Sequence, residues 1–311
     1  MQHYNSIKDL NLQNSWVTIG SFDGVHLGHQ SIISPLAIQA HNANSLAVVV
    51  TFYPNPAVVL RGIKNPYYLT TQSEQNELLE KLGIDVVITL PFNQETASTS
   101  AETFIEEVQR HLGIKSLWVG VDFALGRGRQ GSVEVLADYG QRLGFELKVI
   151  PPLIIDGAPV SSSRIRQMIG EGNVQAAALL LGRYFTVSGS IIHGDGRAHR
   201  LGFPTANIQA PVDRLSPKNG VYAVWAWVDG ERKAGITNIG TRPTFEDHWV
   251  APRIETHILD YYEDLYGQNM LLEFVDFIRP EVKFNSVEEL KLQVQKDILR
   301  AKEVLQHAPK T

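Results

Sequence analysis

The chain has no cysteine. Disulfides, thiolate metal sites and cysteine nucleophiles are excluded together, and a reducing cytoplasm is the expected location. No apolar run approaches the roughly 18–20 residues of a membrane span. The polar N-terminus has no basic stretch leading into an apolar core, so no secretory leader is expected. Basic residues are no richer: 28 Lys and Arg stand against 33 Asp and Glu, a net charge of −5. That balance argues against a general nucleic-acid binder while leaving room for local anion sites. Of the 311 residues, 43% are hydrophobic and 20% charged, enough for a packed core. At roughly 100–200 residues per domain the length suggests two domains.

Residues 1–182 alternate two patterns. Apolar runs at 45–52, 86–90, 117–121 and 146–150 read as strands. Residues 72–82, 101–112 and 132–143 have helical spacing and end on Gly83, Gly113 and Gly144. This alternation predicts right-handed βαβ units and a parallel, Rossmann-like α/β sheet, with ligands outside the carboxyl ends of the strands.

Four unusual stretches fall at such strand ends. In 16–29 an apolar run stops at Gly20, a turn passes through Phe22, Asp23 and Gly24, and His26, Gly28 and His29 open a helical stretch. A helix N-terminus has free N–H donors and the positive end of its dipole, so it attracts phosphate. Two imidazoles there can hold a triphosphate as charge builds during transfer; two surface histidines on a glycine turn would look the same. In 51–56, Phe52 and Tyr53 offer flat faces to a planar ligand, and Pro54 and Pro56 stiffen the loop around Asn55. A rigid loop with core aromatics is the alternative. In 119–131, four glycines, Arg127 and Arg129 follow Asp122 and Phe123. Glycines admit a ligand to the backbone and arginines pair with phosphate, or the loop is merely solvated and mobile. In 160–166, Ser161, Ser162 and Ser163 can cap a helix or donate to phosphate, with Arg166 one turn in.

Together these stretches resemble the FMN adenylyltransferase module of bacterial bifunctional riboflavin kinase/FAD synthetases. Gly20-x-Phe22-Asp23-Gly24-x-His26-x-Gly28-His29 looks like the nucleotidyltransferase signature with its His-x-Gly-His core. Thr51-Phe52-x-Pro54-x-Pro56, Gly120-x-Asp122-Phe123-x-x-Gly126-x-x-Arg129-x-Gly131 and Ser161-Ser162-Ser163-Arg164-Ile165-Arg166 follow in the family's order. Asn55 stands where the family often has histidine, Leu125 replaces a common phenylalanine, and Ser163 a common threonine. The resemblance implies catalytic roles for His26 and His29. It implies ATP or phosphate contacts from Gly20, Phe22, Asp23, Gly24, Gly28, Asp122, Ser162, Ser163 and Arg166. It implies flavin contacts from Phe52, Pro54, Asn55, Pro56, Phe123 and Arg129.

After a short helical pattern at 174–181 the character changes, and the boundary is placed at 182/183. Extended runs recur at 184–192, 221–228, 233–239, 253–259 and 270–278, with Asp229-Gly230 as a hairpin mark. No helical pattern separates them, so an antiparallel β-barrel is expected. A terminal helix at 286–305 follows, with Ser286 as cap and Glu289 completing a capping box. Gly194, Gly196 and Arg197 suit a phosphate loop. Thr205 and Asn207, two apart on an extended chain, project to one side and can hold a hard cation such as Mg²⁺ on a nucleotide. Glu255 can accept a proton from an alcohol during phosphoryl transfer. Ordinary polar residues on a surface strand would look the same.

The context is again a resemblance, here to the riboflavin kinase signature. It is carried by Gly196-Arg197 through Leu201-Gly202-Phe203-Pro204-Thr205-Ala206-Asn207 and by Asn238-Ile239-Gly240-Thr241-Arg242-Pro243-Thr244-Phe245. Glu255-Thr256-His257-Ile258-Leu259-Asp260 and Asp264-Leu265-Tyr266-Gly267 complete it, while Ala198-His199 replaces a common Gly-Arg. The resemblance implies Thr205 and Asn207 as Mg²⁺-ATP ligands, Glu255 as the base, Gly194, Gly196 and Arg197 as phosphate contacts and Arg242 as a flavin contact. Over nearly the whole chain it implies two reactions: phosphorylation of riboflavin to FMN, then adenylylation of FMN to FAD with release of pyrophosphate. ATP, riboflavin, FMN and FAD are the implied partners, with neither nucleic acid nor membrane among them. A cytidylyltransferase acting on a phosphorylated alcohol would explain the histidines but leave the second half idle. A flavin sensor would bind flavin and consume no ATP.

Overall fold

A computed structural model describes residues 1–193, 202–240 and 252–309. Internal contacts divide the chain into two compact units, residues 1–64 with 69–162, and residues 65–68 with 163–311.

The first unit runs β1 (Gln2–Tyr4), β2 (Ser15–Ile19), α1 (Leu27–Asn42), β3 (Leu46–Tyr53), α2 (Pro56–Arg61), α3 (Gln72–Lys81) and β4 (Val86–Pro91). It continues with α4 (Gln94–Ser98), α5 (Ala101–Leu112), β5 (Ile114–Gly120), α6 (Val133–Leu143), β6 (Glu146–Ile150) and a small hairpin of β7 (Ile154–Ile155) and β8 (Ala158–Pro159). The six-stranded sheet has the order β1-β4-β3-β2-β5-β6, and its strands pair in parallel. Helices cover both faces: Val48 and Val50 of β3 pack with Ile105, Val108 and Leu136, while Ala47 and Val49 pack with Ile33, Leu36 and Leu79. Burial on both faces explains why β3 reads as a continuous apolar run. From β2 the chain first winds toward β4, then crosses to β5 on the other side of β2. The carboxyl ends of β2 and β5 therefore form the switch point where such sheets bind ligands.

The apolar run at 117–121 understates β5, which begins at Ile114. Exposed Lys115 interrupts the run, and the buried Ser116 hydroxyl is satisfied by Trp118 Nε1 at 3.0 Å. The helices α2 and α4 are each a single short segment and leave too little periodicity to read.

Helix α7 (Ser162–Glu171) begins on the last residue of the first unit. In the second unit follow α8 (Val174–Leu181), β9 (Phe185–Ile192), β10 (Ala206–Gln209), β11 (Gly220–Val228), β12 (Glu231–Gly240), β13 (Arg253–Ile258), β14 (Asn269–Arg279) and α9 (Val287–His307). Contacts group α8 with β9 and β14. The strands close into an antiparallel barrel, β10-β13-β12-β11-β14-β9. At the β11–β12 turn, Asp229 (φ 50°) and Gly230 (φ 77°) are both left-handed, as a tight twisted hairpin requires. Phe185, Tyr222 and Phe274 pack together in the core, with Tyr222 Oη donating to Lys218 O at 2.5 Å. Burial pushes that phenol well above its ordinary range. Val221, Ala223, Ile236 and Val275 form a separate cluster with Ala301 and Leu305 of α9. The barrel wall is thus covered on its outer side, so β11 too reads as an apolar run.

Arg279, at the end of β14, grips Asp297 of α9 with Nε to both carboxylate oxygens at 3.0 Å and Nη2 to Oδ2 at 2.7 Å. Gln293 Nε2 adds a bond of 2.8 Å to Oδ1, and Asp297 is 2% exposed. Breaking a buried pair strands its partner, so Asp297→Ala is expected to cost about 3–5 kcal/mol. Urea denaturation would measure this, and a cost below about 1 kcal/mol, the range of exposed pairs, would show that the pair does not hold the helix. The cap of α9 corrects one expectation. Ser286 Oγ accepts from Glu289 N at 3.1 Å, but Glu289 Oε2 accepts from Asn285 N at 2.9 Å. The extended Ser286 backbone (φ −142°, ψ 162°) brings the donor one residue further out within reach of the carboxylate. Among the described residues no helix is long and apolar enough to cross a membrane.

Candidate functional site

At the carboxyl end of β2 the chain turns sharply, with left-handed conformations at Phe22 (φ 44°), Gly24 (φ 85°) and Val25 (φ 38°). Two of these are not glycine, so the surroundings must hold them. Asp23 Oδ1 accepts from Leu69 N at 2.9 Å and Thr70 N at 3.2 Å, and Thr70 Oγ1 accepts from Gly24 N at 3.1 Å. Ser162 Oγ donates to Asp23 O at 2.8 Å. Gln75 Nε2 and Thr51 Oγ1 both donate to Ser21 O, at 2.8 and 3.2 Å. The turn is clamped on both sides. Thr70 and Gln75 escaped sequence reasoning because nothing local marks a residue whose partner lies 46 or 54 positions away.

The turn delivers His26 to the N-cap of α1, where Nδ1 accepts from His29 N at 3.2 Å. That role assigns the N–H of the neutral ring to Nε2. The two imidazoles stack with centroids 3.6 Å apart and planes 18° apart, and the Phe22 ring meets His29 edge-on at 5.2 Å. A Cβ on Gly28 would sit 3.0 Å from Val160 O and 3.1 Å from the His26 ring. Gly28 thus lets the helix start lie directly against both. Two stacked imidazoles at the start of a helix place ring N–H donors and the positive end of the helix dipole together, an arrangement suited to phosphate.

Neighbouring strand ends complete the frame. Phe52 packs on Phe92 and Phe104, with centroids 5.8 and 5.9 Å away, as part of the core. Asn55 is buried and its Oδ1 accepts from Ala57 N at 2.9 Å, capping α2 with Pro56 at its first position. Pro54 precedes this cap. After β5 the glycine-rich loop is built rather than loose: Leu125 and Gly131 exchange backbone bonds of 3.1 and 3.0 Å. Arg129 Nη2 donates to Asp122 O at 2.7 Å, and Phe123 N donates to Gly120 O at 3.1 Å. Gly126 (φ 74°) would place a Cβ 2.4 Å from Ala101 N, so only glycine fits. Ser163 and Arg166 belong to the second unit, where the Arg166 guanidinium lies 3.7 Å over the Tyr67 ring and Nε donates to Tyr67 O at 2.8 Å.

On the barrel, Glu255 of β13 is in register with Asn207 of β10 on one side and Asn238 of β12 on the other. Residues opposite one another share a face. The alternate residues Ile254, Thr256 and Ile258 are buried, with Thr256 and Thr237 hydroxyls 2.8 Å apart. Glu255 therefore faces away from the barrel core, onto a cavity of about 970 Å³ lined also by Thr205, Asn207, Asn238, Leu290, Val294 and Asp297. Arg253 Nε donates to Asn207 Oδ1 at 2.8 Å and pairs with the Glu255 carboxylate. His257 Nδ1 donates to Pro204 O at 2.8 Å, tying the Thr205 segment to β13. Asn238 Nδ2 donates to Glu281 Oε1 at 3.3 Å. Arg253 carried one readable signal, its spacing of two from Glu255.

Thr205 and Asn207 present neutral oxygen donors of the kind a hard cation takes. Among the described residues no group of three His, Cys, Asp or Glu is placed to hold a metal. The donor set thus fits a divalent ion that arrives with phosphate oxygens. Gly194, Gly196, Arg197 and Arg242 lie outside the described residues.

Comparisons with known proteins agree along the chain. The FAD synthetase family model matches residues 8–164, and the riboflavin kinase family model matches residues 181–305. A bifunctional riboflavin kinase/FMN adenylyltransferase of Listeria monocytogenes is 38% identical over 285 residues, covering 91% of this chain and 90% of that protein. The Escherichia coli K12 protein of the same name is 37% identical over 290 residues, covering 92% and 91%. A crystal structure described as a macrolide-efflux protein from Streptococcus pneumoniae matches with a TM-score of 0.88 at 28% identity, covering 96% of this chain and 98% of that one.

Proposed function

This chain belongs to the bifunctional riboflavin kinase/FMN adenylyltransferase family, and from that premise we propose which residues carry each step. The chain makes flavin cofactors: it phosphorylates riboflavin to FMN and adenylylates FMN to FAD, both with ATP and a divalent metal. We take the metal to be Mg²⁺, the location to be the cytoplasm, residues 1–182 to carry adenylyl transfer and 183–311 to carry the kinase.

In the kinase step the riboflavin 5′-hydroxyl attacks the γ-phosphorus of ATP, its proton passes to the Glu255 carboxylate, and ADP leaves. Thr205 and Asn207 would hold the Mg²⁺, which would offset charge on the phosphates of bound ATP. The supporting observation is the register that sets Asn207 and Glu255 side by side on a cavity wall.

In the second step the FMN phosphate attacks the α-phosphorus of ATP and pyrophosphate leaves, so no protein nucleophile is needed. His26 and His29 donate to the triphosphate, with Gly20, Phe22, Gly24 and Gly28 shaping the turn. Asp23 and Ser162 serve ATP through that turn, because their polar atoms brace it. Ser163 and Arg166 add phosphate contacts from the start of α7 and Asp122 a nucleotide contact. Phe52, Pro54, Asn55, Pro56, Phe123 and Arg129 frame the flavin side.

The test incubates the protein with riboflavin, ATP and Mg²⁺ and separates products by chromatography. FMN is expected first and FAD second. Failure to form FMN with either oxidised or reduced flavin would overturn the kinase assignment.

A further inference from the structure

We propose that Arg253 is a positioning residue of the kinase site: its guanidinium holds the Glu255 carboxylate and competes with the divalent cation for the Asn207 side-chain oxygen. This role presupposes the kinase reading above.

Arg253 and Glu255 are two apart on β13, so both side chains leave the same face of the strand. Asn207 stands opposite Glu255 on β10. From that position Arg253 Nε donates to Asn207 Oδ1 at 2.8 Å and pairs with Glu255 Oε1. One nitrogen therefore serves both the oxygen offered to the cation and the carboxylate offered to the alcohol. The Arg253 and Glu255 side chains are 31% and 26% exposed, so the wall of the cavity shields them in part from solvent.

Two consequences follow, of opposite sign. The guanidinium never loses its charge. Beside Asn207 it repels a second cation and takes one of the two lone pairs of that oxygen. At the same time the ion pair restrains the Glu255 side chain, which otherwise samples several rotamers. Removing Arg253 is expected to tighten cation binding while slowing transfer. A variant that merely damaged the barrel would weaken both.

The test uses the full chain and two readouts. The first is binding of Mn²⁺ in the presence of ADP, followed by electron paramagnetic resonance of the free ion, with no turnover. In Arg253→Gln the Mn²⁺ dissociation constant is expected to fall about three- to tenfold. Arg253→Lys keeps the charge and is expected to stay within about twofold of the parent. The second readout is FMN formation against Mg²⁺ concentration. Both variants are expected to lose about tenfold or more in kcat, because neither reproduces the guanidinium geometry, while half-saturating Mg²⁺ falls only in Arg253→Gln. FAD formation from supplied FMN should be unchanged in both, which controls for folding. Unchanged or weaker Mn²⁺ binding in Arg253→Gln overturns the competition, and an unchanged kcat overturns the positioning. If the parent chain forms no FMN, the kinase reading itself fails, while the Mn²⁺ arm still decides whether Arg253 opposes the cation.

Discussion

Glu255→Gln is expected to lower FMN formation from riboflavin by about 10²–10⁴-fold, the range a positioned general base contributes. Glutamine keeps the size and the strand pairing but cannot take the proton. The barrel should survive, because the backbone bonds of β13 to β10 and β12 do not involve this side chain and its neighbours Ile254 and Thr256 fill the core. FAD formation from supplied FMN should continue at the parental rate. Measuring both products in one variant separates the two activities. A kcat for FMN formation within about threefold of the parent would be far below that contribution and would remove Glu255 from the role of base.

His29→Ala is expected to show the mirror image: FAD formation from FMN down by about 10²–10³-fold, FMN formation intact. That range is the usual cost of one preorganised donor aimed at charge developing in the transition state. His29 suits the test better than His26. His26 also caps α1 through Nδ1, so His26→Ala removes a cap as well as a donor. The cap adds about 1 kcal/mol of instability, visible as a lower melting temperature. His29 stacks on His26 at 3.6 Å but is not the N-cap residue of α1. If His29→Ala, still folded, abolished both activities, the assignment of two independent sites would be wrong.

Much of the fold is legible locally. Helix α5 is framed at both ends by its own chemistry, Ser100 accepting from Thr103 N and Gly113 (φ 53°) closing in the left-handed region. The Asp229-Gly230 hairpin is equally local. Other features are not. Asn55-Pro56 reads as a stiff loop, and becomes the start of α2 because the side chain of Asn55 caps it. The glycine-rich stretch after β5 reads as open to a ligand or mobile, yet Leu125 and Gly131 pair and Gly126 lies against Ala101. The candidate sites divide the same way. The motifs mark His26, His29, Asn207 and Glu255, but nothing in them shows that Thr70 braces the histidine turn or that Arg253 bridges Asn207 and Glu255.

By itself the sequence determined the two-part character, the strand and helix periods, the chemistry-bearing residue types and the family resemblance. Each is a property of neighbours along the chain, where spacing of two or 3.6 and capping residues act over a few positions. Tertiary structure decided the rest. It chose β2 and β5 as the switch point, stacked the two imidazoles, and set Glu255 on the outward side of the barrel wall beside Asn207. These depend on register and crossover, which are contacts between residues tens of positions apart, and no local pattern encodes the partner of a residue at that distance.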